Sequence, residues 1–262
     1  MATILKRLTG NNPASEGLPS IVPSDNEISI FNTSSLVRWF RAENDFNPAE
    51  GWTCIKSGLQ LTPLRTPYLP TKTELSAYNN KPALVFGSGS TNGGMTAANA
   101  LPLSSRTFVI IGRSGEDDNA YLIGDGKTGG GSVINQLSSR EINGTTEGLS
   151  GVAGSIGKSY SAGPSIIIFS YSAELQQNNM RIDRGVADES STPGTITATP
   201  TDANLTVGAR GLAGTFNVDY NGTLDGGDIA EVLVFSEALY LNPTLLAKVE
   251  QYLGDKYGIP PV

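Results

Sequence analysis

From Phe31 onward, short apolar runs alternate with clusters of glycine, serine, asparagine and aspartate. The runs predict strands over Leu36–Ala42, Ala83–Phe86, Thr107–Gly112, Ala120–Ile123, Val133–Leu137, Ser165–Tyr171, Met180–Asp183, Leu205–Val207 and Ile229–Phe235. The stretches GSGSTNGG, DGKTGGG, SSTPG and LDGG between them are turn formers, tolerant of positive φ or of local side-chain turns. Three runs, FVIIG, SIIIF and AEVLVF, are continuously apolar, which predicts mid-sheet strands covered on both faces. Many short strands at this spacing predict an all-β fold, two antiparallel sheets packed as a β-sandwich. One segment breaks the rhythm. Asn242 is a good N-cap, Pro243 suits the first helical position, and Leu245, Leu246, Val249, Tyr252 and Leu253 recur at helical spacing. The spacing predicts a C-terminal helix over residues 243–257, ended by Gly258 and Pro260, packing outside the sandwich and closing its edge.

Residues 1–30 carry Pro13, Pro19 and Pro23 and no sustained period, so they are expected to form an extended arm ahead of a domain over 31–262. Lys6 and Arg7, flanked by Ile4, Leu5 and Leu8, would suit an acidic, partly apolar groove on a partner. Deleting the arm is expected to leave the sandwich folded.

Composition removes whole classes of chemistry. The chain of 262 residues and 27.5 kDa has no histidine, so a Ser-His-Asp triad, a histidine-ligated zinc and imidazole acid–base work are excluded. A single Cys54 excludes an internal disulfide framework; beside Trp52 and Ile55 it reads as a small buried apolar residue. A net charge of −7 with no basic run argues against nucleic acid and anionic membranes, and no apolar stretch is long enough to insert in a bilayer. Glycine and proline are abundant and only 16% of residues are charged, as expected of many turns and short strands. Lys6 and Arg7 are not followed by a signal-peptide core, so synthesis and retention in a cytoplasm, or release by another route, is the expectation.

The run GGDIAEVLVFSEALYLNPTLLAKVEQYLGDKYGI, residues 226–259, resembles the closing segment of laminin-G-like, concanavalin A-like jelly-roll domains. In that pattern a Gly-x-Ile-Ala-Glu strand, a turn with Ala-Leu and a helix reading Val-Glu-x-Tyr-Leu and ending Lys-Tyr-Gly follow one another. Trp39-Phe40-Arg41-Ala42, Pro82 to Phe86 and Arg106 to Ile110 fit the same pattern upstream. The resemblance implies a jelly-roll sandwich over roughly Leu36 to Ile259; it does not imply one function, because this fold hosts lectins, hydrolases, adhesion modules and viral structural proteins. A single such domain behind a short arm, without a secretion signal, suggests a bacteriophage virion protein. The expectation is a non-enzymatic structural or adhesive component, a head decoration or tail-associated protein made in the host cytoplasm. It would dock on capsid or tail proteins through the arm, self-associate as a homo-oligomer and meet cell-surface glycans through its loops. The alternatives are a lectin-like carbohydrate-binding module and, third, a glycoside hydrolase of concanavalin-like fold.

Each chemical reading has named residues. Glycan hydrolysis uses paired carboxylates, and the resemblance implies a Glu-x-Asp-x-x-Glu strand, the placement of retaining hydrolases of the concanavalin-like type. The nearest approach, Glu116 and Asp118, lacks the third acid because Tyr121 stands there, so no catalytic residue is assigned. Sugar contacts fall on Asp117, Asp118, Asn119, Tyr121, Tyr160 and Tyr220, loop polar groups for hydroxyls and tyrosine faces for the ring; the alternative for the tyrosines is half-buried core. No cofactor is required. Calcium is the one metal considered, with Asp117, Asp118 and Asp125 facing each other across a hairpin and Asp219, Asp225 and Asp228 adding to them. The competing reading is that Asp-Gly and Asn-Gly are turn formers with no metal.

Overall fold

The computed structural model describes residues 23–43, 46–48, 50–64, 69–87, 93–98, 100–101, 105–113, 121–125, 131–138, 141–148, 151–159, 163–175, 177–186, 188–189, 204–212, 215–217, 224 and 226–261. Strands between 131 and 159, and those at 188–189, 210–212 and 215–217, are described by backbone alone, as are Tyr121 and Asp125. The helix α1 (Asp25–Asn32) comes first. The strands of the first half are β1 (Leu36–Arg41), β2 (Phe46–Asn47), β3 (Gly51–Thr53), β4 (Gln60–Pro63), β5 (Thr71–Leu75), β6 (Lys81–Val85), β7 (Met95–Ala97), β8 (Arg106–Arg113) and β9 (Tyr121–Asp125). A long meander follows, β10 (Gly131–Ser138), β11 (Glu141–Gly148) and β12 (Gly151–Ser159). The remainder are β13 (Ser165–Ser172), β14 (Gln177–Ile182), β15 (Asp188–Glu189), β16 (Leu205–Val207), β17 (Arg210–Leu212), β18 (Thr215–Asn217) and β19 (Asp228–Phe235), closed by α2 (Pro243–Tyr257).

Every strand pairing is antiparallel, and the strands form two large sheets. One has eight strands in the order β15-β14-β13-β8-β19-β6-β5, with β1 beside the second half of β19; the other runs β12-β11-β10-β9-β16-β7-β4-β3-β2. A small hairpin, β17 with β18, stands apart. The expected two-sheet sandwich with one C-terminal helix is what forms.

The continuous apolar runs have a direct physical cause. β8, β13 and β19 are neighbours in the middle of the eight-stranded sheet. One face, with Phe108, Ile110, Ile167, Phe169, Val232 and Val234, meets the second sheet over Trp52, Leu61, Met95, Ile123, Leu205 and Val207. The other face, with Trp39, Val109, Ile111, Ile168, Leu233 and Phe235, meets Leu245, Leu246, Val249 and Leu253 of α2. Both parities of each strand are buried, so alternation disappears from the sequence. The domain is thus three layers: helices, eight-stranded sheet, nine-stranded sheet. This corrects the expected place of α2, which covers the centre of a sheet face and does not close an edge.

α2 is terminated as its sequence predicts. The Asn242 side chain accepts from the Leu245 amide at 3.3 Å, and Gly258 takes the left-handed conformation, φ 69°, with its N–H bonded to the Gly254 carbonyl. Inside the helix, Gly254 is there because Arg184 lies across it: a Cβ at that position would sit 1.5 Å from the guanidinium. Arg184 reaches over to donate to the Glu250 and Gln251 carbonyls.

The expected arm is too long at its C-terminal end. Ser24 caps α1, its hydroxyl accepting from the Glu27 amide at 3.1 Å. Ile30 is buried with the α2 core, Lys248 donates to Ser29 at 2.9 Å, and Asn26 bonds Gln251. Lys56 donates to the Phe31 and Thr33 carbonyls, satisfying the C-terminal end of the helix. Residues 24–30, placed in the arm by the expected boundary, are therefore part of the folded unit. Ile4, Leu5, Lys6, Arg7 and Leu8 lie outside the described residues.

Candidate functional site

Beneath α2 lies the most densely connected polar cluster among the described residues, and Glu231, Tyr252, Lys256 and Tyr257 in it come from the segment that carries the jelly-roll resemblance. Glu231 of β19 is fully buried. Its carboxylate accepts from the Trp39 indole, from the Tyr257 hydroxyl at 2.7 Å, from the Lys256 ammonium at 2.9 Å and from the Tyr252 hydroxyl at 3.2 Å. Lys256 also pairs with Glu43 at 2.9 Å. Trp39 and Tyr252 meet edge to face, as do Tyr78 and Tyr257. Burial alone would push the Lys256 ammonium down, but Glu231 and Glu43 outweigh it and hold its pKa above the usual lysine value. Burial first, and Glu231 second, pushes the Tyr252 and Tyr257 hydroxyls well up, so both stay neutral donors. With every hydrogen-bonding group turned inward, this cluster holds the helix on the sheet. The motif is a fold-locking device.

A second cluster corrects the calcium reading of Asp228. Its carboxylate is fully buried and accepts from the Tyr78 hydroxyl and from Arg113, whose Nε lies 3.1 Å away. Those bonds use the lone pairs that a cation would need. A third set ties Arg181 to Glu250 at 2.8 Å, and Asp183 to the Ser165 hydroxyl and the Ile166 amide. Among the described residues, no group of three or more potential metal-ligating side chains converges.

These pairs set an acid response that can be measured. Burial raises the carboxyl pKa of Glu27, Asp183 and Asp228, against the pull of Arg41 on the first and of Arg113 on the last. A folded pKa above the unfolded one gives stability that is present at low pH and lost as pH rises through the folded value. Glu43 is opposite: burial works against it, but Lys256, Lys81 and Arg41 together hold it below the ordinary range. Its contribution persists until the pH falls below the unfolded carboxylate value of about 4.3. The melting temperature should therefore stay level or rise between pH 7 and about 5, and fall only below that. A steady decline from pH 7 in differential scanning calorimetry would contradict these assignments.

Strand polarity locates the loops. Arg113, the last residue of β8, pairs with Asp228, the first of β19. At this end the Phe86 amide donates to the Gly227 carbonyl, and the Leu224 amide to the Gly208 carbonyl. β16 ends here too, and Val207 pairs with Ile123, so Tyr121 lies at the same end of β9. Tyr121 pairs with Asn135, and the meander brings Ser138, Glu141 and Ser159 beyond it. The segment 114–120 with Asp117, Asp118 and Asn119, the residue Tyr160 after β12, and the segment 218–223 with Tyr220 are thus attached to strand ends at one pole of the sandwich. Asp117, Asp118, Asn119, Tyr160 and Tyr220 themselves lie outside the described residues, as does Glu116. Asp125 is at the other pole, four residues or about 13 Å along β9 from Tyr121. The chain thus enters β9 from residues 114–120 at one end and leaves it toward residues 126–130 at the other.

The start of α1 is directed to the same pole, because Glu27 pairs at 2.9 Å with Arg41, the last residue of β1. The sequence reading missed α1. Its signal was Ser24-Asp25-Asn26-Glu27, a capping-box spacing just before ISIF.

By sequence, the chain matches no family model and no curated protein. By structure it is similar to receptor-binding domains of botulinum neurotoxins. The binding domain of botulinum neurotoxin DC in complex with sialylT superposes with a TM-score of 0.56 at 11% identity, over 84% of this chain and 52% of that one. A botulinum neurotoxin type C structure described with two ganglioside molecules gives 0.57 at 10% identity, over 84% and 52%. The neurotoxin DC binding domain with rat synaptotagmin II gives 0.55 at 11% identity, over 82% and 52%. The chain spans about half the length of these solved domains. At such identity the likeness establishes a shared β-sandwich fold.

Proposed function

We propose that this chain is an adhesive, glycan-binding β-sandwich that works by recognition and not by turnover. The observation that carries the reading is the gathering of the Tyr121, Tyr160 and Tyr220 segments and the Asp117–Asp118–Asn119 segment at one pole. Separate loops joined to rigid strand ends are how a sandwich builds a binding surface. Of the solved structures of similar fold, one is a binding domain in complex with SialylT, one is in complex with rat synaptotagmin II, and one belongs to a neurotoxin whose cell entry depends upon interaction with two ganglioside molecules, which supports recognition as the use of the scaffold. The chemistry here points to neutral sugars. Glu116, Asp117, Asp118, Asp219 and Asp225 crowd the segments at this pole in a chain of net charge −7, and a sialylated glycan would meet repulsion.

On a glycan array, the intact chain should retain neutral oligosaccharides in preference to sialylated ones. Tyr121→Ala should weaken that binding by about tenfold, the worth of one aromatic face on a sugar ring. Absence of retention at millimolar glycan would overturn the reading.

The finer role is that of a bacteriophage virion component, on the head or tail, docked through the residues ahead of Ser24. What supports it is the charge contrast between Lys6 and Arg7 and an otherwise acidic chain, a basic pair that an acidic groove on a particle would attract. Glycan binding that survives in a chain starting at Pro23, together with loss of particle association, would separate the two functions.

A further inference from the structure

Three of the candidate segments join neighbouring strands of the eight-stranded sheet, in which β8 lies between β13 and β19. Residues 114–120 follow β8, Tyr160 is on the segment that leads into β13, and Tyr220 is on the segment that leads into β19. Gly112 pairs with Ser165 and Arg113 with Asp228. Arg113, the last residue of the middle strand, therefore stands between the strand ends that all three segments join. Its side chain is 43% exposed, while that of Asp228 is fully buried. Arg113 Nε and Nη2 both donate to Asp228 Oδ2, at 3.1 and 2.5 Å. The Tyr78 hydroxyl donates to Oδ1 of the same carboxylate, so the acceptor is itself held in place.

We infer that Arg113 is a sugar-contacting residue, its guanidinium fixed at the pole to donate to the hydroxyls of a neutral glycan. This rests on the glycan-binding reading and adds the residue that sets its charge preference. Two properties of the pair carry it. A guanidinium presents its N–H donors in a rigid planar fork, so a carboxylate gripping one edge orients the whole group before any ligand arrives. The Asp228 carboxylate also offsets the guanidinium charge at short range, which leaves directed N–H dipoles and little net attraction for an anion. Oriented donors of low net charge suit hydroxyls, and a sialylated sugar gains no added attraction from them. Asp228 and Tyr78 are positioning residues that act on the sugar through Arg113.

The probe is the neutral oligosaccharide that the intact chain retains best on a glycan array. Arg113→Lys keeps a cation beside Asp228 but replaces the fork by a single ammonium. It should raise Kd about tenfold, the worth of one charge-assisted hydrogen bond, with little change in melting temperature. As an independent measurement, the Arg113 Nε–H signal of the native chain, assigned by through-bond NMR, should shift along the sugar titration with the same Kd. Native affinity in a folded Arg113→Lys chain, or an Nε–H signal unmoved at saturating sugar, overturns the inference and leaves the glycan reading standing. If the lysine variant does not fold, the Nε–H titration of the native chain decides alone. A native chain that retains no neutral oligosaccharide overturns the glycan reading, and this inference falls with it.

Discussion

Replacing Glu231 with alanine is expected to destabilise the domain by about 3–5 kcal/mol, a fall of roughly 10 °C in melting temperature for a domain of this size. The effect is large because one carboxylate of β19 serves four donors on two other elements, Trp39 on β1 and Tyr252, Lys256 and Tyr257 on α2. Without it, three neutral donors are left unpaired under α2, each costing about 1–3 kcal/mol before relaxation. Lys256 keeps Glu43 and the Tyr252 hydroxyl. Glu231→Gln should recover little, since the amide turns two hydrogens toward donors. An exposed control, Glu174→Ala, should shift stability by no more than about 0.5 kcal/mol. A fall of less than about 2 °C for Glu231→Ala would show that α2 is held by its apolar face alone.

Truncation gives the second large effect, and it depends on an eight-residue difference in where the chain is cut. A chain starting at Pro23 should melt with the full chain, because Ser24 still caps α1. A chain starting at Phe31 should lose about 3–5 kcal/mol. It sheds the buried Ile30 side chain, worth roughly 2–3 kcal/mol, and uncovers the apolar surface it packs on. It also leaves Arg41 without Glu27 and Lys248 without Ser29. Equal melting temperatures for the two truncated chains would show that α1 contributes nothing to the fold. The boundary matters in practice, since an experiment meant to remove the arm at residue 30 would also damage the domain.

Both effects involve residues whose importance was only partly visible in the chain. Asn242, Pro243 and Gly258 marked α2 because caps and first-turn prolines act within a few residues. FVIIG, SIIIF and AEVLVF marked β8, β13 and β19 for the same local reason. β2, β3 and β7 left no such trace, being two or three residues long, and β11 and β12 hid behind glycine and polar residues. Their strand character comes from pairing with neighbours. Glu231 could be read as part of a resemblance, but not as the acceptor of four bonds, because Trp39 lies 192 residues away in the chain.

The candidate loops divide in the same way. Their composition, aspartate, asparagine and tyrosine beside glycine, is written in the chain and suffices to propose sugars or calcium. Whether those loops share a pole depends on strand direction, which alternates with every antiparallel pairing and can be read only once the pairings exist. Asp125 illustrates this: it is seven residues from Asp118, yet it belongs to the opposite end of β9 from the loop that Asp118 occupies in sequence. What the sequence by itself determined was the material: an acidic, histidine-free sandwich with one capped helix and no machinery for imidazole or disulfide chemistry. What only the tertiary structure decided was the placement, which acids are spent inside and which strand ends share a pole, because each is a relation between residues far apart in the chain.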